Sequence, residues 1–123
     1  MYTVLRFELG SNNLPTMDRY GCLLNGLVAG LYAGPDHEAA RFSCSLSELS
    51  DPVLHFEEVC STLEKIGPVL ETAGAESVAL SLDSAIEPED TVDHYVSMSF
   101  PRRMIDLVVK WNIELGITVY GLA

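Results

Sequence analysis

The chain has 123 residues, 48% of them hydrophobic, and a formal net charge of −11 from 18 acidic and seven basic residues. This length and apolar content predict one domain with its own core and exclude a chain that is disordered throughout. The negative charge disfavours direct binding to nucleic acid or anionic lipid and favours a basic protein partner, with simple solubility as the alternative explanation.

The first two predicted elements are a strand and a helix. Residues 3–9 alternate between apolar and polar, as in a half-buried strand. Apolar residues then recur at steps of three and four over 17–32, which predicts a helix that ends at the AGPD sequence of 33–36. Three glycines inside this helix leave a glycine-rich hairpin as the alternative.

The same pair of patterns follows. Residues 40–47 alternate and predict a second strand. After Ser50 and Asp51, either of which can cap a helix, apolar residues again recur at steps of three and four, so we predict a second helix. It is expected to bend or break near Gly67 and Pro68 and to end at Gly74.

The second half predicts two strands, a helix and a last strand. The strands cover 77–82 and 94–100, the helix begins at Pro101 and ends at Gly116, and the last strand covers 117–120. Trp111 lies on the inner stripe of this helix. We predict that it is largely buried against one of the phenylalanines Phe7, Phe56 and Phe100.

These elements, in the order β-α-β-α-β-β-α-β, predict a single α+β domain over residues 1–123. Each strand has one apolar face and each helix one apolar stripe, so a two-layer sandwich satisfies all of them. Three helices would cover one face of a mixed or antiparallel five-stranded sheet. The other face would be polar and serine-rich, carrying Arg6, Glu8, Ser43, Ser45, Ser81, Ser97, Ser99, Thr118 and Tyr120.

The cysteines and the apolar segments predict a cytoplasmic location. Cys22, Cys44 and Cys60 are far apart and form no CxxC pair, which is typical of reduced thiols. The first residues show no charged leader followed by an apolar stretch, and the apolar segment near 23–33 is short and interrupted by glycines. We therefore expect neither secretion nor a membrane span.

Motifs for catalysis, metals and cofactors are lacking in the sequence. It contains no HExxH, GxSxG, P-loop or dinucleotide-binding pattern. His55 and Cys60 lie five residues apart on a predicted helix, but Cys60 lies beside the apolar stripe, as a buried thiol does. His37 and Cys44 lack a second pair of zinc ligands. We predict a protein that is not an enzyme and holds no metal or cofactor.

The segment from Asp83 to Asp93 has five carboxylates and no lysine or arginine. It is predicted to connect the third and fourth strands, where it would steer a cationic partner while apolar or aromatic anchors hold it. The predicted partner-binding residues are Asp83, Ile86, Glu87, Glu89, Asp90, Asp93 and Tyr95. The polar sheet face is the alternative docking surface.

Two resemblances bear on function. The opening MYTVLRFELGSNNLPTMDRYGCLLNGLVAGLY resembles the strand and helix that begin ferredoxin-like CRISPR RNA-processing proteins. Those proteins carry a glycine-rich loop near the carboxyl end and a basic RNA surface, whereas this chain has WNIELGITVYGLA and is acidic. That resemblance therefore implies a shared strand-helix geometry only.

The helix LSDPVLHFEEVCSTLEKIGPVLETAG, the strand after it and the ending FPRRMIDLVVKWNIELGITVYG resemble small acidic immunity proteins of polymorphic and contact-dependent growth inhibition toxin systems. This resemblance implies a non-catalytic protein that binds and neutralises a cognate toxin domain, often a nuclease with a basic cleft. The alternative is a small regulatory or ligand-binding module that self-associates through its sheet. The toxin, the strand order and the oligomeric state stay open.

Overall fold

Alternating buried and half-exposed residues in five strands build one sheet. The computed structural model describes residues 1–9, 14–28, 31, 33–36, 41–91 and 98–121, with the backbone alone at 14–16. The strands are β1 (Tyr2–Glu8), β2 (Ala33–Asp36), β3 (Arg41–Ser47), β4 (Ala79–Ile86) and β5 (Ile113–Val119). The helices are α1 (Leu14–Leu27), α2 (Pro52–Lys65), α3 (Gly67–Ala75) and α4 (Arg102–Lys110), and a 3₁₀ turn covers Pro88–Asp90.

The sheet has the strand order β2-β3-β1-β4-β5. β1 pairs antiparallel with both β3 and β4, β2 pairs antiparallel with β3, and β4 pairs parallel with β5. The predicted α+β class with a mixed five-stranded sheet is confirmed. Among the described residues the order of elements differs from the prediction, because an additional strand, β2, follows α1. The predicted break near Gly67 and Pro68 is confirmed, since the second helix divides into α2 and α3 at Ile66.

The two faces of the sheet differ in polarity, as the alternation predicts. Leu5 lies beside Cys44 and Leu82 on the buried face, whereas Arg6 lies beside Ser43 and Ser81 on the other, open face. The open face also carries Tyr2, Val4, Glu8, Ser45, Asp83, Glu114 and Thr118. The predicted serine-rich polar face is present at Ser43, Ser45 and Ser81, whereas Ser99 belongs to no strand and Ser97 lies outside the described residues.

Aromatic rings from four elements, β1, α1, β3 and α2, fill the centre of the core. Phe7 on β1 is fully buried, and its ring centroid lies 5.1 Å from that of Tyr20 on α1 and 6.1 Å from that of Phe42 on β3. Phe56 on α2 meets Phe100 edge to face at 5.3 Å. The buried stripe of α2 that the sequence predicted, which includes Val59 and Leu63, therefore packs on this face of the sheet.

Local hydrogen bonds fix the ends of two helices. Asp51 accepts hydrogen bonds from the backbone N–H groups of Val53 and Leu54 at 3.0 and 3.1 Å, so α2 begins where the cap was predicted. After α3, Ser77 has φ of 58°, and Val78 donates to the Ala73 carbonyl at 2.9 Å. These bonds form a Schellman ending without the usual glycine.

The ends of α1 and α4 differ from the prediction. α1 ends at Leu27, and the AGPD sequence is not a helix stop but strand β2, which forms because its backbone pairs with β3 at the sheet edge. α4 ends at Lys110 rather than at Gly116, because Asn112 takes φ of 52° and directs the chain into β5. Gly116 therefore lies in the middle of β5.

Two predicted strands also change. The third continues past 82 to Ile86, so the first part of the acidic segment belongs to β4 rather than to a loop. The strand predicted at 94–100 lies mostly outside the described residues, and Met98, Ser99 and Phe100 have no regular secondary structure.

Trp111 is only partly buried, contrary to the prediction that it is largely buried. It follows the last turn of α4, and its ring lies against the junction of α2 and α3, where a Cβ on Gly67 would come within 3.2 Å of it. Lys110 stacks over the ring with its ammonium 4.7 Å from the centroid. The earlier end of α4 explains the difference, since it moves Trp111 from the middle of a helix to its cap.

Candidate partner-binding site

Asp83, the first residue of the predicted acidic loop, lies on the open face of the sheet. Thr118 on β5 donates its hydroxyl to both Asp83 carboxylate oxygens, at 3.0 and 2.9 Å. Arg6 on β1 places a guanidinium nitrogen 3.5 Å from Asp83 Oδ2. This carboxylate is therefore neutralised by a cation from a distant part of the sequence.

Glu87 and Asp90 hold the 3₁₀ turn and the amino terminus together. The Met1 amino group lies 2.7 Å from Asp90 Oδ2 and 3.4 Å from Glu87 Oε1. Asp90 also accepts the Glu87 backbone N–H at 2.9 Å, and its side chain is only 5% exposed. Burial raises the pKa of Asp90, but the Met1 amino group and the Glu87 N–H outweigh it and lower that pKa below its usual value.

The remaining predicted residues have different surroundings. Ile86 is 3% exposed, so it belongs to the core and is not available as a surface anchor. Glu89 is exposed and has no ion-pair partner among the described residues. Asp93 and Tyr95 lie outside the described residues. The structure thus brings Glu87 and Asp90 together, places Asp83 on the open face and leaves Glu89 at the surface.

We predict that Asp90→Asn lowers the free energy of unfolding by about 1 to 3 kcal/mol, because it removes the charged acceptor of the buried Met1 amino group. Glu89→Gln, one residue away and exposed, is the matched control and should change that energy by less than about 0.5 kcal/mol. Urea unfolding of both variants measures the difference. Equal unfolding midpoints for the two variants would contradict the structural role of Asp90.

A groove lies between α2, the end of β3 and the end of α1, and it encloses about 740 Å³. Its floor includes Leu46, which is 3% exposed, and its walls include Leu49 and Leu54, which are 41% and 54% exposed. Three carboxylates line it, from Glu48, Glu57 and Glu58, together with one cation from Lys65. The groove therefore combines apolar contact surface with negative charge.

One stripe of α2 forms a wall of this groove. Leu54, Glu57, Glu58, Ser61 and Lys65 follow one another at steps of one, three and four and face away from the core. Sequence reasoning missed this stripe because it followed only the inner apolar one. The sequence feature that could have indicated this stripe is an apolar pair, Val53 and Leu54. The pair does not fit the inner stripe and precedes two glutamates.

The groove and the 3₁₀ turn lie at the same end of the sheet. Thr3, near the start of β1, lies beside Ser47 at the end of β3 and beside Ser84 near the end of β4. The chain leaves β3 into the groove and leaves β4 into the turn. The end of the molecule that carries the predicted acidic segment is therefore also the end where Glu48 and Leu49 lie.

A buried row of polar side chains connects the sheet to α2 at this end. His55 Nδ1 lies 2.8 Å from the Leu49 carbonyl oxygen, which can only accept, so Nδ1 carries the proton. With the ring neutral, His55 Nε2 accepts from the Thr3 hydroxyl at 2.6 Å, and Thr3 in turn accepts from Ser84 at 2.9 Å. All three side chains are fully buried, and burial lowers the pKa of His55.

Thr3 and His55 of this row resemble the hydroxyl and imidazole pair of a hydrolytic site. They cannot act as such a site while they are buried. A nucleophilic hydroxyl must reach a substrate carbonyl, and neither Thr3 nor Ser84 has exposed surface. The row instead holds the turn at Leu49 against the sheet, since His55 bonds to the Leu49 carbonyl. It therefore positions one wall of the groove.

Two of the three cysteines, Cys44 and Cys60, have the environments of unreactive thiols. Cys44 and Cys60 are buried and free, and Cys22 is exposed. Burial raises the pKa of Cys44 to about 12 and also raises the pKa of Cys60, which suppresses the reactive thiolate at both positions. Within the described parts of the chain, no group of three histidine, cysteine or carboxylate side chains is arranged to hold a metal ion.

None of the helices in the described ranges is long and apolar enough to cross a membrane. Comparisons with models of protein families, with curated proteins and with solved structures find no match to this chain. The groove and the distribution of charge are therefore the features of the molecule that bear on its function.

Proposed function

We propose that this chain is a non-catalytic, cytoplasmic immunity protein that binds a cognate basic toxin domain, of nuclease type, and blocks it. The observation that carries the proposal is the pairing of exposed Leu49 and Leu54 with the carboxylates of Glu48, Glu57 and Glu58 in one groove. Exposed apolar side chains supply the persistent contact, and the carboxylates attract a cationic partner.

The distribution of ion pairs supports a basic partner. Four of the seven basic side chains are paired within the chain: Arg6 with Asp83, Arg19 with Glu76, Arg41 with Asp36 and Arg103 with Glu64. Most carboxylates have no such cation among the described residues. The surface therefore presents an excess of negative charge, which accelerates association with a basic protein and repels nucleic acid.

The groove also changes the role of the predicted acidic segment. Asp83, Glu87 and Asp90 are engaged in bonds within the chain, whereas Glu89 is exposed at the same end of the molecule as the groove. In the proposed complex Glu89 adds to long-range attraction, and Leu49 and Leu54 make the lasting contact. Binding would then obstruct the basic substrate cleft of the toxin.

The test is binding to the polypeptide encoded by the adjacent gene, together with rescue of growth when both are expressed. Leu54→Ala should weaken the complex by about 2 kcal/mol, roughly thirtyfold, mainly through faster dissociation. Combined replacement of Glu48, Glu57 and Glu58 by glutamine should slow association and reduce its dependence on salt.

Two matched controls separate the groove from general surface effects. Val53→Ala removes an apolar side chain that is 76% exposed next to Leu54 but outside the groove, and it should leave binding unchanged. Glu71→Gln removes the charge of an exposed carboxylate on α3, outside the groove, and it should also leave binding unchanged. No binding and no rescue by the native chain would refute the immunity function, whereas binding that is insensitive to Leu54→Ala would refute the groove as its site.

A further inference from the structure

The two edges of the sheet are protected to different degrees. Edge strand β2 is four residues long and contains Pro35, which cannot donate a hydrogen bond to another strand. Edge strand β5 is seven residues long and has neither proline nor lysine, with Glu114 as its one charged residue. Nothing in the described ranges pairs with the outer edge of β5. Its outward backbone groups therefore have no strand partner within these ranges.

Apolar side chains accompany this open edge. Ile117 and Val119 point to the helix-bearing side of β5 and are 52% and 48% exposed. On α4, Ile105 and Val109 are 39% and 73% exposed. These four β-branched residues are called the edge patch below.

Helix geometry places both parts of the edge patch on the same side. Arg103 pairs with Glu64 of α2, which marks the flank of α4 that faces α2. Ile105 and Val109 are one turn apart and lie about 160° and about 120° around the helix from Arg103, at 100° per residue. They therefore face away from α2, and α4 also packs on β5, so this flank lies above the open edge of the strand.

We propose that this chain forms a two-fold symmetric dimer in which β5 pairs antiparallel with β5 of a second copy. A strand of seven residues pairs over its full length with its own copy only when its central residue, Gly116, lies on the two-fold axis. Ile113 then faces Val119, Leu115 faces Ile117, and Glu114 faces Thr118 of the other copy. No like charges oppose each other in this register.

Local charge also favours a second copy at this edge. Residues 102–119 contain Arg102, Arg103 and Lys110 against Asp106 and Glu114, a formal charge of +1, which leaves −12 for the rest of the chain. Two molecules with a net charge of −11 repel each other over most of their surfaces. The edge patch lies in this nearly neutral region, so a second copy meets little repulsion there.

Sedimentation of the native chain from micromolar to near-millimolar concentration tests the proposal. The mass is expected to rise to twice 13.5 kDa. Val109→Lys should return the chain to a monomer with unchanged circular dichroism. Val53→Lys, the same substitution at a helical position of similar exposure, should leave the dimer intact. A native chain that stays monomeric would overturn the proposal, as would a dimer that survives Val109→Lys.

A cross-link tests the register. A Cβ on Gly116 would make only ordinary contacts, 3.7 Å from Asp83 Oδ1, so Gly116→Cys is compatible with the fold. In a Cys22→Ser background, which removes the exposed native thiol, Gly116→Cys should oxidise rapidly to a covalent dimer with copper phenanthroline, and a cysteine at Val53 should not. Cross-linking at Val53 but not at Gly116 would overturn the β5 pairing.

Discussion

Replacing His55 by alanine is expected to lower the free energy of unfolding by about 3 to 5 kcal/mol. The substitution empties a fully buried site and removes the partner of both the Thr3 hydroxyl and the Leu49 carbonyl. Chemical unfolding followed by circular dichroism measures the loss. His55→Gln keeps an acceptor near Thr3 and should cost less. A His55→Ala variant as stable as the native chain would contradict the buried row.

The same residue is expected to make stability depend on pH. Burial lowers the pKa of folded His55 below its ordinary value of 6.5, so between those two values the unfolded chain binds a proton that the folded chain does not. Stability is therefore fully present above pH 6.5 and is lost as the pH falls below it. Asp90, whose pKa is lowered from 3.8, adds a second loss at more acidic pH.

His55→Gln should flatten the first of these losses and leave the second, which unfolding midpoints measured from pH 7 down to about pH 2 would reveal. Protonation adds a proton to His55 Nε2, which then cannot accept from the Thr3 hydroxyl, and so it disturbs the row that holds Leu49 at the groove. Partner binding should weaken in the pH interval of the first loss if Leu49 is an anchor. A native slope that persists in His55→Gln would assign it to other groups.

Local pattern determined which parts of the fold were predictable. The inner stripe of α2 and its Asp51 cap follow from residues close together in sequence, so period and capping chemistry were sufficient. β2 was missed because Gly34 and Pro35 carry turn signals, and only pairing with β3 makes them a strand. α4 was predicted too long because its end depends on Asn112 in a left-handed conformation, which glycine adopts at most helix ends of this kind.

The candidate site was less predictable because charge compensation is a property of the folded chain. The acidic segment contains no cation, yet Arg6 neutralises Asp83 across 77 residues, and the Met1 amino group reaches Asp90. The groove lies where the end of β3 meets an outer stripe of α2, and the sequence of neither segment indicates that the two are neighbours. The acidity of the chain predicted the type of partner, but only the pairing of strands determined which carboxylates stay available.

Phe7→Ala is expected to destabilise the fold by about 3 to 5 kcal/mol and Trp111→Ala by less, although the sequence predicted that Trp111 is largely buried. Phe7 is fully buried, and its ring contacts those of Tyr20 and Phe42, so truncation leaves a cavity between β1, α1 and β3. Trp111 is partly exposed, and its indole N–H is buried without a hydrogen-bond partner in the described structure. Removing it relieves a desolvation cost that offsets part of the lost packing.

Urea unfolding followed by circular dichroism compares the two variants, because the only tryptophan is absent from one of them. A larger loss for Trp111→Ala than for Phe7→Ala would show that the α2–α3 junction, rather than the aromatic centre of the sheet, dominates the stability of the core.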